Sequence, residues 1–128
     1  MNVLLILNDP AYGTERSWNG LRLAGSLSKR EGVEVRVFLI GDAVGCAMAG
    51  QKVPDGYYHL DRMILSAARH GAQVGCCGTC MDARGITEDM LTEGGASLLA
   101  RGAHRLDVVG RQGGKLLGGR WKISSPYV

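Results

Sequence analysis

The 128-residue sequence predicts an α/β fold with a mainly parallel sheet in a single domain, residues 1–128. Apolar runs of strand length end in turn residues, and segments with helical apolar spacing separate these runs. The 20 glycines indicate many tight turns. Strand, helix and strand in this order form the βαβ unit of parallel sheets. A domain of this length buries on the order of two thirds of its unfolded surface, enough for its own core.

The first βαβ unit occupies residues 3–40. Val3–Leu7 is a continuous apolar run, so we expect a strand that is buried on both faces and central in the sheet. The next segment predicts a helix that stops at Gly32, with apolar residues at helical spacing: Trp18, Leu21, Ala24 and Leu27. Val33–Ile40 predicts the second strand, which completes the unit.

The following elements lead to a cluster of thiols. Tyr57–His70 has the apolar spacing of a helix, and Ala72–Cys76 predicts the third strand. Thr79–Leu91 suits another helix, although Gly85 interrupts its pattern and can mark a break, after which Thr87, Met90 and Leu91 can begin a second short helix. The strand-to-helix turn before Thr79 therefore contains Cys77.

Cys77 is our candidate nucleophile and Cys80, one helical turn later, its candidate neighbour. Backbone N–H groups at the start of a helix favour an anion, and a Cys-X-X-Cys arrangement often lowers a cysteine pKa. Burial as a small apolar side chain is the alternative, with about even odds for Cys76. The ligand spacing does not favour structural zinc, and the length does not require a disulfide scaffold. We therefore predict neither a metal nor any other cofactor.

Further candidate residues follow the second and third strands. Asp42 and Cys46 come after the second strand, and the carboxyl ends of parallel strands share one edge of a sheet. We therefore expect both residues to bind substrate near Cys77, although Asp42 has about even odds of simply capping a helix. Gly78, Thr79 and Arg84 complete the predicted substrate-binding set by their positions around the thiols.

The charge distribution disfavours specific nucleic-acid binding. Residues 1–100 contain nine Lys and Arg against eleven Asp and Glu, whereas residues 101–128 contain six against one. This basic excess lacks an aromatic stacking platform. The longest apolar run is too short to cross a bilayer, and residue 2 leaves no basic n-region for a signal peptide. We expect a cytoplasmic protein that does not bind a membrane.

Four segments resemble the DsrE/DsrF-like family, which includes TusD-like and YchN-like sulfur-relay proteins: the apolar first strand, Phe38–Val44 with Cys46 and Ala47, the loop Gln51–Asp55, and Cys77–Gly85. The resemblance covers roughly residues 1–95. It implies a three-layer α/β/α fold with a mainly parallel sheet of about five strands, homo-oligomers such as trimers or hexamers, and sulfur handling. By its position before Arg84, Cys77 falls where TusD-like members have their sulfur-carrying cysteine.

Residues 96–128 depart from the resemblance, because family members close with a helix and a final strand. This tail is glycine-rich and basic instead. Codons compatible with Gly95–Leu116, read with one base deleted, encode ARRSSLAELTDWTLWADKVVS, which is a family-like ending. We therefore hypothesise a shifted reading frame, and expect an exposed sheet edge with an opportunistic fifth strand at Leu106–Val109.

The sequence favours a sulfur carrier in which Cys77 accepts sulfane sulfur as a persulfide and passes it to the thiol of a partner. Donor and acceptor proteins are the implied partners, and sulfurtransferase is the candidate enzyme activity. A thiol–disulfide redox protein that uses Cys77 and Cys80 is one alternative. A non-catalytic oligomeric binding subunit with inert thiols is the other.

Overall fold

The structure, a computed structural model, describes residues 1–93, 95–99, 106–112 and 115–121, with side chains for residues 1–93. It confirms the α/β class. Strands and helices alternate through most of the chain, in this order: β1 (Asn2–Leu7), α1 (Arg16–Leu27), β2 (Glu34–Leu39), a 3₁₀ helix (Gly41–Ala47), α2 (Leu60–Arg69), β3 (Gln73–Cys77), α3 (Gly78–Asp82), a second 3₁₀ helix (Glu88–Met90), β4 (Gly95–Leu99), β5 (Leu106–Gln112) and β6 (Lys115–Trp121).

The described strands form one mixed sheet in the order β1-β2-β3-β4-β5-β6. The first four strands are parallel, which confirms the mainly parallel prediction, and β5 and β6 pair antiparallel. The strand expected at Leu106–Val109 is present as β5, so the described sheet has six strands where about five were expected. The sequence assigns no element to residues 121–128; Trp121 ends β6, and residues 122–128 lie outside the described residues.

The prediction of a central first strand was wrong. In the described sheet β1 is an outer strand that pairs with β2 alone. Leu4 is 45% exposed and Ile6 51% exposed, so one face of β1 lacks an apolar cover. An apolar run shows that a strand can be buried on both faces. Whether the second face is covered depends on other segments of the chain, which the run itself does not reveal.

Two amphipathic helices cover the other face of the sheet. α1 and α2 pack on each other and against the first three strands. Their inward residues are buried, as the helical spacing predicts: Leu21 and Ala24 on α1, and Leu60, Ile64 and Ala67 on α2. Close packing is visible at Gly20, where an added Cβ would lie 2.4 Å from Cδ2 of Leu7. α1 and α2 therefore form one helical layer of the predicted α/β/α arrangement.

Two helices differ in length from the prediction. α2 begins at Leu60 rather than Tyr57, because His59 has extended backbone and Tyr57 is 68% exposed. α3 ends at Asp82 and does not continue to Leu91. Gly85 has φ +65°, a left-handed conformation that breaks the helical path.

None of the described helices is long and apolar enough to cross a membrane.

Candidate functional site

Cys77 is the last residue of β3 and stands immediately before α3. This is the strand-to-helix turn that the sequence predicted for it. α3 has only five residues, so its cumulative dipole is small, and the first backbone N–H groups of the turn are the relevant donors. Gly78 is the first helical residue, and it is buried. The local backbone therefore brings polar N–H groups to a thiol that lies at the edge of the sheet.

The site has a close pair of sulfur atoms at its centre. Sγ of Cys80 lies 2.7 Å from Sγ of Cys77 and donates a hydrogen bond to it. The hydroxyl oxygen of Thr79 lies 3.2 Å from the same Cys77 sulfur. Cys77 is 6% exposed, whereas Cys80 is half-buried. Cys77 is thus almost fully covered, and it lies beside a second thiol that solvent can reach.

The two thiols of the pair differ in pKa. Partial burial acts to raise the pKa of Cys77, but hydrogen bonds from Cys80 and Thr79, by side chain and backbone, outweigh it and lower that pKa below its ordinary value. Burial and the bond to Cys77 raise the pKa of Cys80, while the N–H of Gly41 and the charge of Arg84 partly oppose this. When the pair loses its first proton, the charge therefore resides on Cys77.

The other two cysteines are buried in the core. Burial raises the pKa of Cys76 to about 12 and that of Cys46 to about 11. Sγ of Cys46 lies 3.9 Å from the carbonyl oxygen of Asp9, which also accepts a hydrogen bond from Ser17. The structure thus places Cys46, predicted as a substrate-binding residue of the rim, among fully buried side chains.

Arg84 connects the loops that follow the second and third strands. Its Nε and Nη2 atoms donate to Oδ1 of Asp42 at 3.1 and 2.8 Å. Its Nη1 atom donates to the carbonyl oxygen of Cys80 at 2.9 Å. Asp42 does not cap the 3₁₀ helix with its side chain, which is the alternative that the sequence left open. The structure therefore brings Asp42, Arg84 and Cys80 together at the carboxyl edge of the sheet.

Gln51 is a connecting residue that the sequence did not identify as part of any site. Its Nε2 atom donates to the carbonyl oxygens of Cys46 and Met48, both at 2.9 Å. Its Oε1 atom accepts a hydrogen bond from the hydroxyl of Tyr12, and its backbone N–H donates to buried Asp61 at 3.3 Å. Gln51 thereby fixes the loop after the first 3₁₀ helix. The signal in the sequence for this role was that Gln51 belongs to the family-like segment Gln51–Asp55.

A cleft of about 390 Å³ lies beside this loop. Three tyrosines and one cation contribute to its walls, which are lined by Tyr12, Gly13, Lys52, Val53, Pro54, Tyr57 and Tyr58. Tyr58 stacks on Trp18 with ring centroids 4.8 Å apart, which fixes one wall. The sulfur pair does not line this cleft.

Similarity to known proteins extends over the part of the chain that contains the sulfur pair. The DsrE/DsrF-like family matches residues 1–106. Protein YchN of Escherichia coli strain K12 is 36% identical over 93 residues, which cover 72% of this chain and 79% of that protein. An uncharacterized protein of Methanocaldococcus jannaschii is 35% identical over 94 residues, 73% of this chain and 81% of that protein.

A solved structure is also similar. The crystal structure of the YchN protein from E. coli superposes with a TM-score of 0.68 at 35% sequence identity. The superposition covers 73% of this chain and 80% of that chain. Fold and sequence therefore identify the same relative.

Proposed function

Because the chain belongs to the DsrE/DsrF-like family, we propose that it is a sulfur carrier of a sulfur-relay system, with Cys77 as the carrying residue. The observation that carries the proposal is the position of Cys77 at the strand-to-helix turn, where Cys80 and Thr79 contact its sulfur at 2.7 and 3.2 Å and lower its pKa. The core thiols of Cys46 and Cys76 have raised pKa values instead. A thiolate is the nucleophile of sulfur exchange, so the structure favours one sulfur atom over its neighbours.

The loading step is an exchange of one sulfur–sulfur bond for another. The thiolate of Cys77 attacks the outer sulfur of a donor persulfide, and the donor's own sulfur leaves as a thiolate. Cys77 then carries the persulfide Cys77–S–SH. Hydrogen bonds from Thr79 and Cys80 stabilise the attacking thiolate before this step.

The unloading step reverses these roles. A partner thiolate attacks the outer sulfur, and Cys77 leaves as a thiolate that the same hydrogen bonds stabilise. A sulfur with a low pKa is a good leaving group, so one environment serves both directions. Neither step needs a metal or an organic cofactor. We propose that donor and acceptor are both proteins, and that Gly78, Thr79, Asp42 and Arg84 shape the surface they approach.

Thiol–disulfide exchange is the second candidate function. The 2.7 Å separation of the two sulfurs favours it, because a disulfide bond of about 2.05 Å needs only a small approach of the two atoms. Exchange of this kind requires both cysteines, whereas a carrier requires Cys77 alone. The variant Cys80→Ser therefore separates the two functions.

Intact mass spectrometry tests the carrier. Reduced wild type, Cys77→Ser and Cys80→Ser are incubated with glutathione persulfide without oxygen, and folding is checked by circular dichroism. We expect Cys80→Ser to gain one sulfur atom that a reductant removes, and Cys77→Ser to gain none. Equal loading of Cys77→Ser would overturn the assignment. Loss of loading in Cys80→Ser, with turnover of disulfide substrates in wild type, would favour the redox function.

We also propose the remaining features that family membership suggests: one domain over residues 1–128, a homo-oligomer such as a trimer or hexamer, and a cytoplasmic location. Residues 96–128 are proposed as a frame-shifted ending. The exposed Leu4 and Ile6 support this, since a displaced helix and strand would leave an apolar surface uncovered. Resequencing the source gene tests the frame, and light scattering tests the oligomer.

A further inference from the structure

The position of Cys80 allows a reaction that sulfur transfer does not need. Its sulfur lies 2.7 Å from Sγ of Cys77, on the next turn of the chain after the strand. A disulfide between the two requires a bond of about 2.05 Å, so the atoms must approach by roughly 0.7 Å. Both thiols are free in this structure. Cys80 can therefore reach the sulfur to which a carried sulfur atom is attached.

Arg84 provides a positive charge on the same side of Cys80. Asp42 and the carbonyl oxygen of Cys80 hold its guanidinium in place through three hydrogen bonds. In the unloaded pair, the hydrogen bond from Cys80 to the Cys77 thiolate and the charge of that thiolate oppose ionisation of Cys80. Loading converts the Cys77 thiolate into the neutral persulfide Cys77–S–SH and the charge leaves with the donor thiolate, whereas the charge of Arg84 stays. Ionisation of Cys80 is therefore easier in the loaded protein than in the unloaded one.

We propose that Cys80 resolves the persulfide on Cys77, so that the chain releases sulfide when no acceptor takes the sulfur. This activity rests on the proposed function, because Cys77 must first be loaded. The thiolate of Cys80 attacks Sγ of Cys77 and forms the Cys77–Cys80 disulfide. The bond between Sγ and the outer sulfur breaks, and the outer sulfur leaves with the electron pair as hydrosulfide.

The electrons of this step balance within the protein. The sulfane sulfur gains two electrons, and the two cysteine thiols lose them in forming the disulfide. Another turnover requires an external reductant of the thiol class, either a small dithiol or a protein dithiol. Without it the chain stops after one sulfide, in the disulfide form that cannot be loaded again.

A single-turnover experiment tests the proposal. Reduced protein is mixed with one equivalent of glutathione persulfide without oxygen, quenched with acid, and assayed for sulfide and intact mass. We expect wild type to release about one sulfide per chain and to lose two hydrogens. Cys80→Ser should keep the added sulfur and release little sulfide. Glutathione formed in the reaction attacks both proteins equally, so the difference between them reports on Cys80.

The outcomes separate this inference from the proposed function. If Cys80→Ser takes up no sulfur, the carrier function itself fails. If Cys80→Ser loads and wild type also keeps its persulfide without disulfide, only the release by Cys80 is overturned. The variant Cys46→Ala removes a thiol outside the pair and should release sulfide as wild type does.

Arg84→Gln tests the positioning role of the guanidinium. We expect release to slow by about two- to fivefold, the range of a partly exposed charge interaction. Its pH profile should move to higher pH, because Cys80 ionises less easily without the neighbouring cation. A slower rate with an unmoved pH profile would indicate a structural role only and would overturn the electrostatic one.

Discussion

Cys76 and Cys77 are neighbours at the end of β3, and their side chains point to opposite faces of the sheet. Cys76 shares the face of Val74, which α2 covers, and burial there raises its pKa to about 12. Cys77 lies at the turn into α3, where N–H and hydroxyl donors lower its pKa. One step along the strand thus separates a thiol with a raised pKa from a thiol with a lowered pKa. The difference in pKa between the two thiols comes from the hydrogen-bond donors around Cys77 and the burial of Cys76.

The rate of alkylation should show this contrast most strongly. At neutral pH the thiolate fraction of Cys77 exceeds that of Cys76, since hydrogen-bond donors lower the pKa of Cys77 whereas burial raises that of Cys76 to about 12. We expect iodoacetamide to label Cys77 at least about a hundredfold faster than Cys76, because the pKa of Cys76 is raised well above the ordinary value for cysteine. Peptide mapping after timed quenching measures this. Comparable labelling of both in folded protein would contradict the contrast.

Serine substitution should reveal the same contrast in stability. Cys76→Ser puts a hydroxyl into an apolar, fully buried position, and an unsatisfied buried hydroxyl costs about 1–3 kcal/mol. Cys77→Ser places the same group beside Thr79 and backbone donors, so we expect a smaller loss. Urea denaturation of both variants gives the two free energies of unfolding. Equal losses would show that the two environments do not differ as described.

Removing the donor from Cys80 should weaken the contrast. Cys80→Ala abolishes a hydrogen bond to the Cys77 thiolate, and such a bond to a charged group is worth about 1.5–3 kcal/mol when buried. Partial exposure reduces this, so we expect the pKa of Cys77 to rise by about one pH unit. The pH dependence of its alkylation rate measures the midpoint. Cys46→Ala serves as the control and should leave that midpoint unchanged.

Much of the site could be predicted because local patterns determine it. The apolar residues before Cys77 end a strand, the glycine after it permits a turn, and Cys80 follows three residues later. The order of strands in a parallel sheet also puts Asp42 and Arg84 at one edge. These features depend on short-range sequence and on a general property of parallel sheets.

The errors concern contacts between distant segments. The apolar run of β1 suggested burial on both faces. In the described part of the chain, α1 and α2 cover one face of the sheet, and Leu4 and Ile6 on the other face of β1 remain exposed. Cys46 was expected at the rim, whereas its place depends on how the first 3₁₀ helix packs against Asp9. The bonds of Gln51 likewise connect loops from separate strands. No local periodicity encodes such contacts.

Because Cys46 and Cys76 are buried, the accessibility of their thiols reports whether the chain is folded. Both are fully buried, one in the first 3₁₀ helix and one in β3, next to the elements that position the reactive pair. A thiol reagent should leave Cys46 and Cys76 unlabelled in the intact chain and should label all four cysteines after the chain unfolds. The fraction of chains with an intact site can thus be measured by thiol counting in each preparation that is assayed.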